Sequence, residues 1–301
     1  MSRDSKPFKT IEEQIEILER RGLSFADKDA ALRFLQGQNY YAVINGYKDA
    51  FIDRQETNLA GEDRYPKSLP FEAIKLIYSF DNALRHLTIG VLLEAETLMK
   101  TSVVYAFCSV HQGIDDYLDP SFYCSKSDYR MKDRYTKGLI KLLSTLQGIR
   151  DNKMHKAYVN HYVKRYRGLP LWVASKCLTF GNVASFFDYQ KQDVKTRSCV
   201  ALARATGKRS IPQKELAYAF NTLTHFRNIC AHGERLYCAR VGKQRDKGFA
   251  EMLRALKSVI PEDRYKAYIN EVHALIFETT KSMPELEGTI LDGMGDRAKR
   301  H

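Results

Sequence analysis

Several absences narrow the reading of this 301-residue chain before any motif does. It has a single tryptophan and no run approaching the roughly 18 apolar residues of a membrane span. Its N-terminal stretch lacks the apolar core of an export signal. The six cysteines (108, 124, 177, 199, 230 and 238) show no Cys-x-x-Cys spacing. That pattern fits a reduced, cytoplasmic setting away from membranes. Cys230 and Cys238 flank His232, but the spacing matches no common zinc pattern, and Cys230 reads as core filler. There is no Gly-rich phosphate loop, His-Glu-x-x-His pair, serine nucleophile elbow, internal repeat or low-complexity tract. Zincin, P-loop and α/β-hydrolase chemistries are thereby excluded, and the expectation is a protein with no metal and no cofactor.

What is present is ordinary in amount and unusual in sign. Hydrophobic residues make up 44% and charged residues 28%, as in a soluble globular protein with a substantial core. Formal net charge is +12, which concentrates polyanions at the surface and points to nucleic acid or another acidic partner.

The texture is helical throughout, so the fold class is all-α. Thr10-Ile11-Glu12-Glu13 has capping-box spacing and opens a helix stopped by Gly22. A short helix is expected over 27–35. Residues 39–47 read either as a strand, on β propensity, or as a tyrosine-packed helix-turn. Residues 53–70, with Gly61, Pro66 and Pro70, read as a loop. Phe71, Ile74, Ile77, Phe80, Leu84, Leu87, Val91 and Leu98 then recur at helical steps, predicting one or two long helices, bent near Gly90. On their polar side Arg85 and His86 read as RNA contacts or as a salt-bridged face. Further helices are expected over 129–146, 155–166, 173–187, 194–205, 249–259 and 263–281. Trp172, at a turn into one of them, is expected in the core. The stretch from Pro284 on reads as mobile.

The chemical candidate is Phe226-Arg227-Asn228-Ile229-Cys230-Ala231-His232-Gly233-Glu234-Arg235. A permanent cation, an amide and an imidazole on one segment are enough to cut an RNA phosphodiester without a metal. The bare spacing Arg-x(4–6)-His is uninformative: chance gives about two matches, and two occur, Arg227/His232 and Arg150/His155. Context separates them. On an ideal helix, Asn221, Thr224, His232 and Arg235 fall within about 40° of Asn228, opposite Leu216, Ala219, Phe220, Leu223, Phe226 and Cys230. Arg150 to His155 has no apolar stripe and reads as a polar loop or helix start. Arg227 lies about 140° from His232, toward the apolar side, where a charge is costly unless paired or at an interface. A distorted helix, a stem that reaches around, or a side facing a twin chain would each accommodate it. The basic loop with Lys208 and Arg209, and the aromatic-basic run containing Lys164 and Arg165, are the candidate RNA-gripping positions.

Four stretches in order carry a family resemblance: Asn39-Tyr40-Tyr41 with Ile44-Asn45-Gly46-Tyr47-Lys48; Tyr78-Ser79-Phe80-Asp81-Asn82-Ala83-Leu84-Arg85; Leu169-Pro170-Leu171-Trp172-Val173 with Thr179-Phe180-Gly181; and Phe226 to His232 with Arg235-Leu236. In these the chain resembles the Abi-like abortive-infection proteins of bacteria, AbiD/AbiF type, within the HEPN superfamily of helical RNases. The resemblance implies an HEPN-like helical bundle over residues 67–284, an N-terminal helical segment over 1–66 packed on it, and a flexible tail over 285–301. It also implies a homodimer with a composite active site, and a toxin restrained by a structured non-coding RNA. The family's Arg, Asn and His map onto Arg227, Asn228 and His232, and its further Arg maps onto Arg235 in a supporting role. The family often continues Arg-Leu-Trp-Asn, where this chain has Arg235-Leu236-Tyr237-Cys238, and often has a second His where Gly233 stands. The rival readings are a non-catalytic module that binds structured RNA and a helical interaction scaffold.

Overall fold

In the computed structural model of the protein, residues 7–295 are described, and they fold as helices joined by turns and by two longer irregular connections, between Val110 and Tyr135 and between His232 and Phe249. In chain order the elements are α1 (Ile11–Arg20), β1 (Leu23–Ser24), α2 (Lys28–Gly37), α3 (Tyr40–Tyr47), α4 (Arg54–Ala60), β2 (Leu69–Pro70), α5 (Phe71–Val110), α6 (Tyr135–Arg150), α7 (Ala157–Tyr166), α8 (Leu171–Ala174), α9 (Phe180–Asp188), α10 (Gln192–Ala205), α11 (Gln213–His232), α12 (Phe249–Val259), α13 (Glu262–Thr280) and α14 (Leu286–Met294). The only sheet among the described residues is the two-residue parallel pairing of β1 with β2. No described helix is long and apolar enough to cross a membrane.

Two compact units emerge. Of the described residues, one holds those up to His86 together with Arg235–Ala239 and those from Glu271 on; the other holds Leu87–Glu234 and Arg240–Asn270. In the first, the Thr10 capping box forms as its spacing predicts, with Thr10 Oγ1 accepting from Glu13 N–H and the Glu13 carboxylate accepting from Thr10 N–H. Gly22 follows α1 at φ 109°, and any β-carbon there would lie 2.5 Å from the Tyr65 carbonyl oxygen. The backbone of Tyr65 can approach only because that side chain is missing. Phe71 stacks on Phe25 at 5.1 Å, and Tyr47 meets Tyr78 edge-on at 5.7 Å.

Several local expectations are resolved or corrected. The ambiguous stretch 39–47 is helix, because Asn39 caps it by accepting from Tyr41 and Ala42 N–H. The expected loop over 53–70 contains α4, capped by Asp53 and ended by left-handed Gly61. The long pattern after Pro70 is one continuous helix of 40 residues. The helix expected over 173–187 is broken: Leu178 is extended, and Thr179 opens α9 with its own capping box to Asn182. The expected mobile tail contains α14, which buries Leu286, Ile290 and Met294; its residues 296–301 lie outside the described residues. Trp172 is not in the core but 60% exposed. Val173 and Ala174, its neighbours in α8, fill the interior instead.

In the second unit α11 packs mainly on α12 and α9. Its buried residues Leu216, Ala219, Phe220, Leu223 and Phe226 form the apolar stripe that the sequence periodicity describes, but it is continued by Ile229, and Cys230, expected there as core filler, is only half-buried. Phe220 meets Phe180 at 5.8 Å and Phe187 at 5.2 Å. This packing fixes which side of α11 remains open.

Candidate active site

The polar side of α11 is not uniformly open. Asn221 accepts a hydrogen bond from Lys247 Nζ at 2.7 Å. Thr224 lies against α9, where the position of a β-carbon on Gly181 would be 3.8 Å from its methyl group. The Thr224 hydroxyl is buried there without a partner. One and two turns further on, Asn228 and His232 are both exposed, one helical turn apart and hence neighbours on the surface.

Gly233 ends the helix immediately after His232. It adopts a left-handed conformation (φ 69°), and Glu234 N–H closes back on the Ile229 carbonyl at 3.0 Å. This is the six-to-one bond of a Schellman turn. His232 therefore occupies the last residue of the helix, with its ring reachable from solvent.

Arg227 points where the helical wheel sends it, away from His232, and the structure supplies the counter-charge that such a position demands. Its Nε donates to Glu96 Oε2 on α5 at 3.1 Å. Glu96 is itself nearly buried, and its second oxygen lies 3.4 Å from Lys100 Nζ. Lys100 also donates to the Leu178 carbonyl at 2.9 Å, next to the Thr179 cap of α9. The stem does reach part of the way around: Nη1 donates to Asn228 Oδ1 at 3.3 Å. The guanidinium is thus held between a buried carboxylate and the exposed amide, with its side chain 26% exposed. Of its five N–H donors, these contacts engage two.

Arg235 is not an extension of this face. The helical wheel placed it beside Asn228, but the turn at Gly233 takes the chain off the helix axis. Arg235 belongs to the other compact unit, where it donates to the Gly46 carbonyl and lies 4.0 Å from Asp49. Just after it, the Leu236 and Tyr237 N–H groups both donate to the carboxylate of Asp81, at 3.1 and 2.7 Å. Asp81 is fully buried. It also accepts from the Tyr47 hydroxyl at 2.7 Å and from Arg85 at 2.7 Å. Burial and the adjacent carboxylate push the Tyr47 phenol well above its ordinary pKa. Burial likewise raises the Cys238 thiol, against the lowering effect of Arg235.

The remaining sequence candidates fall in different places. Lys164 and Arg165 sit exposed on the last turn of α7. Lys208 and Arg209 lie in the turn before α11, about 30 Å along that 20-residue helix from His232. Lys208 and Arg209 therefore lie at the opposite end of α11 from the Arg-Asn-His segment. Arg85 is a structural cation, not an RNA contact, being 7% exposed and bound to Asp81. His86 closes locally on the Asn82 carbonyl at 2.8 Å. The second spacing match is structural too: Arg150 pairs with Asp115 at 3.4 Å, and His155 sits in a left-handed turn. All six cysteines are free, and no cluster of three or more His, Cys, Asp or Glu side chains arranged for a metal ion occurs among the described residues.

The sequence reading missed the part played by Glu96. It was visible only as one of several charges on the polar side of α5. The signal that pointed to it was indirect: a cation on the apolar flank of α11 required an anion from whatever packs there.

A family model described as Abi-like protein aligns with residues 33–238, more than half of the chain, including Asp81, Glu96 and the Arg227–His232 segment. No curated protein and no solved structure matches the chain.

Proposed function

The chain belongs to the Abi-like protein family, and from that premise we propose that it is an abortive-infection toxin of HEPN type, an endoribonuclease that needs no metal. The observation that carries the reading is the exposed end of α11. There an imidazole on the last helical residue stands one turn from an amide that is itself hydrogen-bonded to an anchored guanidinium.

The chemistry follows from those groups. The ribose 2′-oxygen attacks the adjoining phosphorus, and the bond to the 5′-oxygen of the next nucleotide breaks. Products are a 2′,3′-cyclic phosphate and a 5′-hydroxyl. His232 takes the 2′-hydroxyl proton or delivers one to the leaving oxygen. Arg227 uses its remaining donors on the phosphate oxygens as charge builds there, and Asn228 orients either the phosphate or the imidazole. Both proton transfers need a group, and the other exposed His on this side of α11, His225, lies two turns (about 10 Å) away along the axis from His232. A second copy supplying its own His232 completes the set, hence a homodimer with a composite site. DNA lacks the attacking hydroxyl and is spared. The net charge of +12 suits RNA as substrate and as a structured, restraining non-coding partner.

A specific observation favours a second reading, a structured-RNA-binding module without catalysis: Arg227 is already neutralised by nearly buried Glu96. One experiment separates the two. Purified protein is incubated with single-stranded RNA in chelator, alongside His232→Ala. Chelator-resistant cutting with cyclic-phosphate ends, lost in the variant while RNA binding persists, supports the nuclease. RNA binding without cutting by the wild type supports the module.

A further inference from the structure

Ahead of α12 the chain carries a basic hairpin, Arg240-Val241-Gly242-Lys243-Gln244-Arg245-Asp246-Lys247-Gly248, with four cations against one carboxylate. Val241 and Lys247 exchange both backbone hydrogen bonds, at 2.9 and 3.3 Å. Gly242 (φ 90°) and Arg245 (φ 51°) take the tip through left-handed conformations, which for Arg245 is a strained choice.

One of the hairpin's own cations fastens it to α11. Lys247 Nζ donates to Asn221 Oδ1 at 2.7 Å and to Thr222 Oγ1 at 3.2 Å, and it stands 4.6 Å from the centre of the Tyr218 ring. Arg254 of α12 lies over the same ring at 5.1 Å and pairs with Glu215. Burial lowers the Lys247 ammonium pKa, and this cation is spent on structure. Lys243 and Arg245 are different. Both are exposed, and neither side chain forms an ion pair or hydrogen bond among the described residues.

The anchor point is in line with the proposed site. Asn221, His225, Asn228 and His232 follow one another at steps of four, three and four residues, so they share one face of α11. All four are exposed. Asn221 and His232 are about 16 Å apart along the axis, with the hairpin fastened at one end of the row and the imidazole at the other.

We propose that the hairpin is a phosphate clamp for single-stranded RNA. Lys243 and Arg245 hold the backbone several nucleotides from the bond presented to His232, and the strand runs between them along the row. The clamp rests on the reading of RNA as substrate of the His232 site. A row of about 16 Å spans about five stacked nucleotides at 3.4 Å each. Arg245 offers a planar fork to one phosphate and Lys243 a point charge to its neighbour. An acidic protein segment meets the same two cations, but amide and imidazole groups continuing towards His232 favour a polymer with an acceptor at every step.

The test uses the full chain carrying His232→Ala, so that RNA survives the measurement, with and without Lys243→Gln and Arg245→Gln together. Affinity for a single-stranded RNA of about ten nucleotides, twice the span of the row, is followed by fluorescence anisotropy over a salt series. The two substitutions should weaken binding about tenfold near 0.1 M salt and flatten the slope of log affinity against log salt by about 1.4, the value for two phosphate contacts on a single strand. The same loss of charge at Lys126 and Arg130, also exposed, should change neither. With His232 restored, the hairpin pair should raise KM and leave kcat as it was, because the contact is made equally in ground and transition states. Unchanged affinity and slope in the hairpin variant, equal weakening by the Lys126 and Arg130 pair, or displacement of RNA by poly-glutamate at equal charge concentration would overturn the proposal. RNA held through the hairpin but not cut by the wild type would support the clamp and sink the nuclease reading alone.

Discussion

Among the described residues two buried carboxylates each hold an arginine, and they differ in what they leave open. Asp81 is closed on every side. It accepts from two backbone N–H groups, a tyrosine hydroxyl and Arg85, which is itself only 7% exposed. Glu96 is nearly as buried, but its arginine is not: Arg227 keeps 26% of its side chain in solvent, and its contact list leads outward to the exposed Asn228. Full satisfaction makes a structural clamp. A cation anchored at one end and open at the other is positioned without being used up. The same ion pair chemistry therefore distinguishes the scaffold from the proposed site by exposure alone.

Four substitutions and a pH series test that contrast. The largest change is expected for His232→Ala, a loss of about 10²- to 10⁴-fold in cleavage rate with stability altered by less than about 0.5 kcal/mol. Cleavage assay and thermal melt together check it. Asp81→Ala should cost about 3–5 kcal/mol of stability, because it strands Arg85 and two backbone donors in the interior; denaturant unfolding measures this. Glu96→Ala should split the two readouts of the open site. Turnover falls about tenfold or more as Arg227 loses its anchor, while RNA binds more tightly because a carboxylate has left the neighbourhood of the phosphate. A parallel fall in both would make Glu96 a second scaffold residue and erase the distinction.

Tyr47→Phe should cost only about 0.5–1.5 kcal/mol, the net worth of one hydrogen bond. It also bears on alkaline stability. The folded-state pKa of Tyr47 lies above its ordinary 10.0, so its contribution is fully present below pH 10. It is lost as pH rises further, since the unfolded chain then gives up the phenolic proton more readily than the folded one. Unfolding curves collected from pH 9 upward should fall less steeply for Tyr47→Phe than for wild type.

The helical architecture and the face of α11 were legible in the sequence because both rest on spacing. The apolar steps of Phe71 to Leu98 describe α5, and Leu216 to Phe226 describe the stripe that α9 and α12 cover. The wheel even located the anomaly at Arg227. It could not name Glu96, since the partner is 131 residues away in sequence and only packing brings it near. Arg235 was misplaced because the wheel assumes that the helix continues, and Gly233 ends it. Short elements also escaped. In α4, Asp53 and Gly61 supplied cap and stop, but no buried side chain stands between them, so periodicity had nothing to register. Trp172 was expected inside on residue type alone, and the contacts made by its neighbours in α8 decided otherwise. Which units the segments form, and what a second copy would add, are not written in any spacing.

The turn at Gly233 has one more implication. An added β-carbon there would touch nothing within 4 Å, so space does not forbid a larger residue; only the dihedral angle does, at about 1 kcal/mol for an L-residue. A mirror-image alanine, introduced by chemical ligation, would satisfy that angle while stiffening the unfolded chain. Such a protein should melt at a higher temperature with its imidazole just as open to the surroundings, whereas the natural enantiomer would tempt the spiral to run on past residue 232 and roof it over.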